Sequence, residues 1–201
     1  YHVTMTDLQG GNQYLCCLMA KFAHDEVVPY QQSEKGKKEQ VAEMFNSIAF
    51  RYDFLNRFLT AGIDIQWRKK AIRQLKDIHP QLVLDVATGT ADVAIMTHQL
   101  LKTNKIIGID ISEGMLELGR EKLKKLNLTD HISLQTGDSE TIHFPDNYFD
   151  AITVSFGVRN FAHLDKGMSE MYRVLRPGGK LVVLEFSRPK QPLFRKMCDF
   201  Y

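Results

Sequence analysis

The spacing of apolar and polar positions changes near residue 80 of the chain. Over residues 37–80, apolar side chains recur three and four positions apart, which predicts amphipathic helices, the second of them over Ile65–Ile78. From residue 81 onward, short apolar runs alternate with helical stripes, as is typical of a parallel sheet with right-handed helical crossovers. The strands are predicted near residues 82–86, 105–109, 131–135, 149–154 and 180–185, and the helices between them near 90–102, 113–126 and 164–175.

These patterns divide the chain into three segments. Residues 1–36 show neither helical nor strand spacing and are expected to form a tail or extension. Residues 37–80 predict a helical segment, and residues 81–201 predict an α/β core that forms one domain with it. Ligands of open α/β sheets bind at the carboxyl ends of the strands, so the functional site is expected there.

The run from Val83 to Asp92 is the most informative part of the sequence. A short apolar strand containing Asp85 passes into a turn of small residues around Gly89 and then into a helix, so that a ligand can approach the backbone closely. The next predicted strand ends in Asp110, and a carboxylate at that place suits the two hydroxyls of an adenosine ribose. Together these features predict a cofactor of the nucleotide type.

The turn also narrows the choice of cofactor. A dinucleotide fingerprint has three glycines spaced for pyrophosphate, whereas this turn has only Gly89 and is followed by Asp92. A carboxylate at that position repels pyrophosphate but tolerates an ammonium or a sulfonium, and S-adenosylmethionine carries both. The residues of the turn alone are also compatible with an ordinary strand-to-helix turn that binds no cofactor. Asp110 at the end of the next strand counts against that alternative.

Composition and charge exclude several classes of function. The 201 residues suffice for one well-buried domain, and the net charge of +2 is too small to indicate a nucleic-acid partner. The three cysteines form neither a disulfide framework nor, with the histidines, a metal-ligand spacing, so no metal site is predicted and a cytoplasmic location is expected.

Three segments carry a resemblance to a known family. Residues 52–67 contain Y-D-x-x-N and end in tryptophan, residues 155–160 read S-F-G-V-R-N, and residues 173–187 contain R-V-L-R-P-G-G. With these segments the chain resembles the class I S-adenosylmethionine-dependent methyltransferases, and within them the UbiE/MenG group of menaquinone and ubiquinone biosynthesis. The sequence departs from the group's pattern at Thr60, where serine is usual, and at Asp64, where histidine is common.

The resemblance implies a Rossmann-like methyltransferase sheet with helices on both faces and a helical lid in front of it. It implies C-methylation of demethylmenaquinol by S-adenosylmethionine, or the equivalent methylation of a polyprenyl benzoquinol. Members of the group continue with a further helix and two more strands, so the last strands of the sheet are expected to be missing from a chain that ends at Tyr201. The prenyl tail of such a substrate suggests an apolar groove and, as a hypothesis, peripheral contact with a membrane.

The resemblance also implies roles for individual residues. Asp110 would accept the ribose hydroxyls, and Arg159 would orient the quinol oxygen and stabilise a developing phenolate, because a guanidinium stays protonated. The implied cofactor-binding residues are Asp85, Gly89, Thr90, Asp110, Asp138, Ser139 and Ser155. The candidate catalytic residues are Arg159, Asn160, Tyr52 and Asp53.

Two further classes of function compete with this interpretation. A nicotinamide-dependent oxidoreductase would share the strand-turn-helix pattern, but the single glycine followed by Ala91 and Asp92 speaks against it. A module that binds the cofactor without turnover is the second competitor, and the short carboxyl-terminal part keeps it open. A structural ion pair with an acidic residue is the alternative role for Arg159.

Overall fold

Five parallel strands form a single sheet in the computed structural model, which describes residues 28–30, 35–60 and 62–185, with only the backbone at 53–59. The strands are β1 (Leu82–Val86), β2 (Lys105–Asp110), β3 (Ile132–Thr136), β4 (Phe149–Ser155) and β5 (Leu175–Leu184). Their order across the sheet is β3-β2-β1-β4-β5. The chain therefore leaves β1 in one direction and returns to its other side with β4, which creates a switch point between these two strands.

The helices begin and end close to the positions that the sequence predicts. They are α1 (Lys37–Leu59), α2 (Ile63–Ile72), α3 (Asp92–Leu101), α4 (Glu113–Lys125) and α5 (Leu164–Val174). Ser112 caps α4, since its hydroxyl accepts a hydrogen bond from the backbone N–H of Met115 at 3.3 Å. No helix within the described ranges is long and apolar enough to cross a membrane.

Both faces of the sheet are covered, as the resemblance implies. Alternate residues of β1 point into two different apolar clusters, with Val83 in one and Leu84 in the other. The first cluster takes in residues of α2, α3 and α4, and the second takes in Met171 and Val174 of α5. A strand buried on both sides requires a nearly continuous apolar run, and this is why β1 could be located from the sequence.

Two local predictions are wrong. The helix predicted over Ile65–Ile78 instead consists of α2 and a 3-10 helix, Arg73–Ile78, because the last turns tighten toward the helix end. That segment ends in His79, which lies in the left-handed region at a φ of 44°, since the following Pro80 disfavours a helical conformation there.

The second wrong prediction concerns the start of the last strand, which is predicted near residue 180. Strand β5 begins at Leu175 and contains residues 176–179 as a bulge: Phe149 pairs with Leu175, and two residues later Ala151 pairs with Lys180. Pro177 has no N–H for the ladder, and Gly178 has a φ of 79°, so both residues suit a bulge better than a regular strand. The prediction about missing carboxyl-terminal strands lies outside the described residues.

Candidate active site

A cavity of about 650 Å³, counting the part open to solvent, lies at the carboxyl ends of β1, β2 and β4. Helix α1, which belongs to the segment predicted as a lid, contributes Lys38, Val41, Phe45 and Tyr52 to its wall. The predicted site residues that line this cavity are Tyr52, Gly89, Asp110, Asp138, Ser139, Ser155 and Asn160.

The turn between β1 and α3 has an unusual backbone. Ala87, Gly89 and Ala91 all have positive φ values, of 52°, 55° and 66°. Small side chains reduce the steric cost of such a conformation, and strained backbone of this kind concentrates at functional sites. A Cβ added to Gly89 would meet no atom within 4 Å, so Gly89 leaves open space in front of the turn.

Asp110 fastens this turn to the end of β2. One carboxylate oxygen accepts a hydrogen bond from the N–H of Gly89 at 2.8 Å, and the other accepts one from the N–H of Ser112 at 2.9 Å. Burial raises the pKa of Asp110, while these two N–H groups oppose the rise. The carboxylate is therefore held rigidly at the edge of the cavity and keeps further lone pairs for a ligand.

Asp85 is a buried acid beneath the turn. The hydroxyl of Thr88 donates to one of its oxygens at 2.6 Å, and the hydroxyl of Thr153 donates to the other. Burial raises the pKa of Asp85 to about 6, against the effect of both hydroxyls and of the nearby Arg68. A carboxylate kept ionisable near neutral pH inside the protein is typical of a functional site.

The loop after β3 is tied to the lid by an ion pair. The ammonium of Lys38 lies 2.6 Å from Asp138 and 2.8 Å from Glu140. Glu140 is buried and also accepts a hydrogen bond from the N–H of His163 at 2.8 Å. Asp138, predicted as a cofactor contact, therefore lies in the cavity wall with a cation from α1 beside it.

A second contact joins the lid to the start of α4. The amide oxygen of Asn46 accepts hydrogen bonds from the hydroxyl of Ser112 at 2.7 Å and from the N–H of Gly114 at 3.0 Å. Because Ser112 also donates its N–H to Asp110, the lid touches the same few residues that hold the predicted ribose-binding carboxylate.

A second cavity, of about 370 Å³, shares wall residues with the first and brings in Arg68, which sequence reasoning missed. The guanidinium of Arg68 lies 3.2 Å from Asp92, and Lys122 lies 2.8 Å from the other oxygen of Asp92. Both oxygens of Asp92 are thus engaged by cations of the protein itself, Arg68 and Lys122. Thr90 accepts a hydrogen bond from Lys122 at 2.8 Å and lines this second cavity together with Asp85.

The two departures from the family pattern contact each other. The hydroxyl of Thr60 donates to Asp64 at 2.8 Å, and Asp64 lies 3.4 Å from Arg68. Thr60 and Asp64 therefore belong to the group of polar side chains around Arg68. An aspartate in place of histidine adds a negative charge beside this buried cation.

Arg159 does not line either cavity. Its guanidinium pairs with Glu185 at 2.6 Å, its backbone N–H donates to the same carboxylate at 3.3 Å, and its side chain is 47% exposed. The neighbouring Asn160 does line the larger cavity, as does Tyr52, whose ring meets that of Phe45 at 5.7 Å in an edge-on arrangement. The side chain of Asp53 lies outside the described residues.

The residues present fit a cofactor of the S-adenosylmethionine type. Asp110 offers a rigid acceptor for a hydroxyl pair, Gly89 leaves room for close approach to the backbone, and Asp138 and Ser139 line the same cavity with further polar groups. No group of three or more potential metal ligands occurs in the described part of the chain. Fold and site together define a class I methyltransferase.

Comparison with known proteins identifies the family within this class. Residues 33–201 match the model of the ubiE/COQ5 methyltransferase family, and the chain belongs to that family. It is 50% identical over 180 residues to demethylmenaquinone methyltransferase of Bacteroides fragilis, and the aligned region covers 90% of this chain and 73% of the relative. It is 44% identical over 177 residues to the ubiquinone/menaquinone biosynthesis C-methyltransferase UbiE of Geobacter sulfurreducens, covering 88% of this chain and 68% of that protein.

A solved structure supports the class. The S-adenosylmethionine-dependent methyltransferase of Aquifex aeolicus has a TM-score of 0.50 to this chain and 26% identity, over 56% of this chain and 60% of its own. The chain is therefore an S-adenosylmethionine-dependent methyltransferase by family and by fold.

Proposed function

We propose that this protein transfers a methyl group from S-adenosylmethionine to a ring carbon of demethylmenaquinol. The observation that carries the proposal is the 50% identity over 180 residues to a demethylmenaquinone methyltransferase. The cavity at the ends of β1, β2 and β4 supports it, because that cavity joins the predicted cofactor residues to lid residues on the substrate side. Methylation of a polyprenyl benzoquinol is a second candidate, favoured by the 44% identity to a ubiquinone/menaquinone C-methyltransferase.

The cofactor residues are proposed to act by binding and orientation. When bound, S-adenosylmethionine supplies a methyl group on a positively charged sulfur. Asp110 would accept the ribose hydroxyls, while Asp138 and Ser139 would hold the adenine amine and Ser155 would support the methionine part. Methyl transfer depends mainly on holding the nucleophile in line and close, so a fixed site of this kind is a large part of the catalysis.

The substrate would lie between the lid and the end of β4. Its ring carbon would form the new bond to the methyl carbon while the bond from that carbon to the cofactor sulfur breaks, so that S-adenosylhomocysteine leaves and the ring then gives up its proton to water. A group that stabilises negative charge on the neighbouring oxygen would accelerate this step. We assign this role to Arg159, with Asn160 and Tyr52 from the cavity wall as further contacts. For Arg159 to reach the quinol oxygen, that oxygen must replace or join Glu185 at the guanidinium.

We further propose that the protein meets its prenylated substrate at the surface of a membrane. Phe50 on the lid helix α1 is 89% exposed, more than any other large apolar side chain in the described part of the chain, and such a side chain would suit contact with an apolar phase. Co-sedimentation with anionic liposomes tests this, and equal sedimentation of wild type and Phe50→Ser would exclude Phe50 as the contact.

The experiment for the main proposal is a methylation assay with purified protein and labelled S-adenosylmethionine. Demethylmenaquinol, its oxidised quinone and a prenyl benzoquinol are offered separately, and products are identified by mass spectrometry. We expect transfer to the naphthoquinol and none to the oxidised quinone, because only the reduced ring is nucleophilic. Faster transfer to the benzoquinol would favour the second candidate, and transfer to neither would refute both.

Variants then separate binding from turnover. Asp110→Ala is expected to weaken binding of S-adenosylhomocysteine, measured by calorimetry, whereas Arg159→Ala is expected to lower kcat and leave that binding unchanged. Arg159→Lys keeps the charge and should recover part of the rate. Unchanged turnover in Arg159→Ala would leave Arg159 with the structural ion pair to Glu185 alone.

A further inference from the structure

Arg68 of α2 is the most deeply buried basic residue in the described part of the chain, with 7% of its surface exposed. It lies against the ring of Phe156, with the guanidinium carbon 5.8 Å from the ring centre. It also lines the cavity of about 370 Å³ that Gly89, Thr90 and Ser155 enclose. A buried cation is costly unless anionic partners and hydrogen bonds compensate it, so its partners show what it can bind.

The partners within the protein leave the guanidinium short of hydrogen bonds. A guanidinium carries five N–H donors. Among the residues that the structure describes, Arg68 has one hydrogen bond, to Asp92 at 3.2 Å, and one longer ionic contact, to Asp64 at 3.4 Å. Its Nε atom is buried and has no hydrogen-bond partner within the same described residues. Such an unsatisfied donor is uncommon in a native protein and calls for an explanation.

The nearby acids do not depend on Arg68 alone. Asp92 has Lys122 at 2.8 Å, which is closer than Arg68. Asp64 accepts the hydroxyl of Thr60, and Asp85 accepts the hydroxyls of Thr88 and Thr153. Each carboxylate therefore keeps a donor of its own if Arg68 turns toward another anion.

We propose that Arg68 binds the carboxylate of the amino-acid part of the cofactor and makes the site select ligands that carry it. S-adenosylmethionine has one carboxylate, and a guanidinium matches that group with two parallel hydrogen bonds. Arg68 lines the cavity beside Gly89 and Ser155, and this cavity adjoins Asp110, the predicted ribose contact. A cofactor in which a nucleoside is joined to an amino acid requires two neighbouring sites of this kind. The assignment rests on the proposed function, because it presupposes this cofactor.

Three ligands test the assignment in binding measurements by calorimetry. They are S-adenosylmethionine, decarboxylated S-adenosylmethionine, which keeps the sulfonium and the amine, and 5′-methylthioadenosine, which lacks the amino-acid part. Each is measured with wild type, Arg68→Met and Arg68→Lys. Lys69→Met is the matched control, since it removes one positive charge from the exposed side of the same helix.

We expect wild type to bind S-adenosylmethionine about 10- to 150-fold more tightly than the decarboxylated ligand, the range typical of hydrogen bonds to charged groups. Arg68→Met should lose that preference to within about threefold while binding 5′-methylthioadenosine as wild type does, which also shows that its site is folded. Arg68→Lys should keep part of the preference, and Lys69→Met should keep all of it.

Two results would overturn the assignment. Equal affinity of wild type for the carboxylated and decarboxylated ligands would do so without any variant, even if Arg68→Met failed to fold. A similar loss for all three ligands in Arg68→Met would assign Arg68 to the structure of the turn. Absence of binding of every ligand to wild type would instead refute the proposed function, so the two failures can be told apart.

Discussion

The acid beneath the turn offers a sharp test of the electrostatics of this site. Asp85 is buried, and its pKa rises from an ordinary 3.8 to about 6. A folded-state pKa that is raised for an acid means that the folded protein holds the proton more tightly, so ionisation of Asp85 costs stability as pH rises. At 1.36 kcal/mol for each pKa unit, the rise from 3.8 to about 6 corresponds to a full cost of about 3 kcal/mol above pH 6.

The perturbation is the substitution Asp85→Asn, measured across pH. The amide remains neutral and can still bond to both threonine hydroxyls, since a hydroxyl donates or accepts. We expect the free energy of unfolding of Asp85→Asn minus that of wild type to rise by about 2 kcal/mol between about pH 4.5 and pH 7, where most of the cost develops. In urea this is a relative shift of the midpoint of about 1 M, for a slope of about 2 kcal/mol per molar.

Two further variants control the comparison. Thr153→Val removes a donor that favours the ionised form, so it should raise the pKa of Asp85 further and steepen the loss of stability with pH. Glu117→Gln removes an exposed carboxylate of α4 and controls for the general change in net charge. The reasoning would be refuted if Asp85→Asn and wild type differed by the same amount at every pH.

Three other predictions concern stability. Arg173→Met should cost about 2 kcal/mol, or roughly 4–8 °C in Tm, because the guanidinium donates to two carboxylates and two backbone carbonyls around the loop after β3. Arg173→Lys should recover less than half of this loss. If the Tm of Arg173→Met, measured by calorimetry, lay within about 1 °C of wild type, the predicted loss would be contradicted. Burial lowers the pKa of His98 below 6.5, so the unfolded protein takes up the proton more readily than the folded protein. The stability of wild type relative to His98→Gln should therefore fall as pH drops through about 6.5, and unfolding measured at several pH values tests this. Gly157→Ala would place a Cβ 2.5 Å from that of Ala87, so it should lower the free energy of unfolding by about 1–3 kcal/mol and weaken cofactor binding. Gly36→Ala is the control and should leave stability unchanged, because a Cβ at Gly36 meets no atom within 4 Å. Equal melting temperatures of the two variants would exclude the clash.

The central strands and the turn could be predicted from the sequence because their signals are local. A strand that is buried on both faces must be an apolar run, and the small residues Ala87, Gly89 and Ala91 mark the turn that follows it. The proposed role of Asp110 follows from its place at the end of the second strand, which needs no knowledge of distant contacts.

The partners of the charged residues could not be predicted, because they are distant in sequence. Lys38 and Asp138 are separated by 100 positions, and nothing in the sequence of α1 distinguishes Lys38 from the adjacent Lys37 as the partner of Asp138. Arg68 did leave a signal, since it lies three, four and seven positions before the buried Ala71, Ile72 and Leu75. An arginine in step with an apolar stripe is either a buried partner of acids or a ligand of an anion.

The contacts of Lys38 and Arg68 link the position of the lid to binding of the cofactor. Lys38 of α1 lies against Asp138, the proposed adenine contact, and Arg68 of α2 lies against Asp92 at the end of the turn. A ligand that engages Asp138 or Arg68 therefore changes the attachment of a lid helix, and a change in that attachment must alter the affinity for the ligand by the same factor. Under the proposed mode of binding, the lid would for this reason be part of the cofactor site, although it is separate from the sheet in sequence.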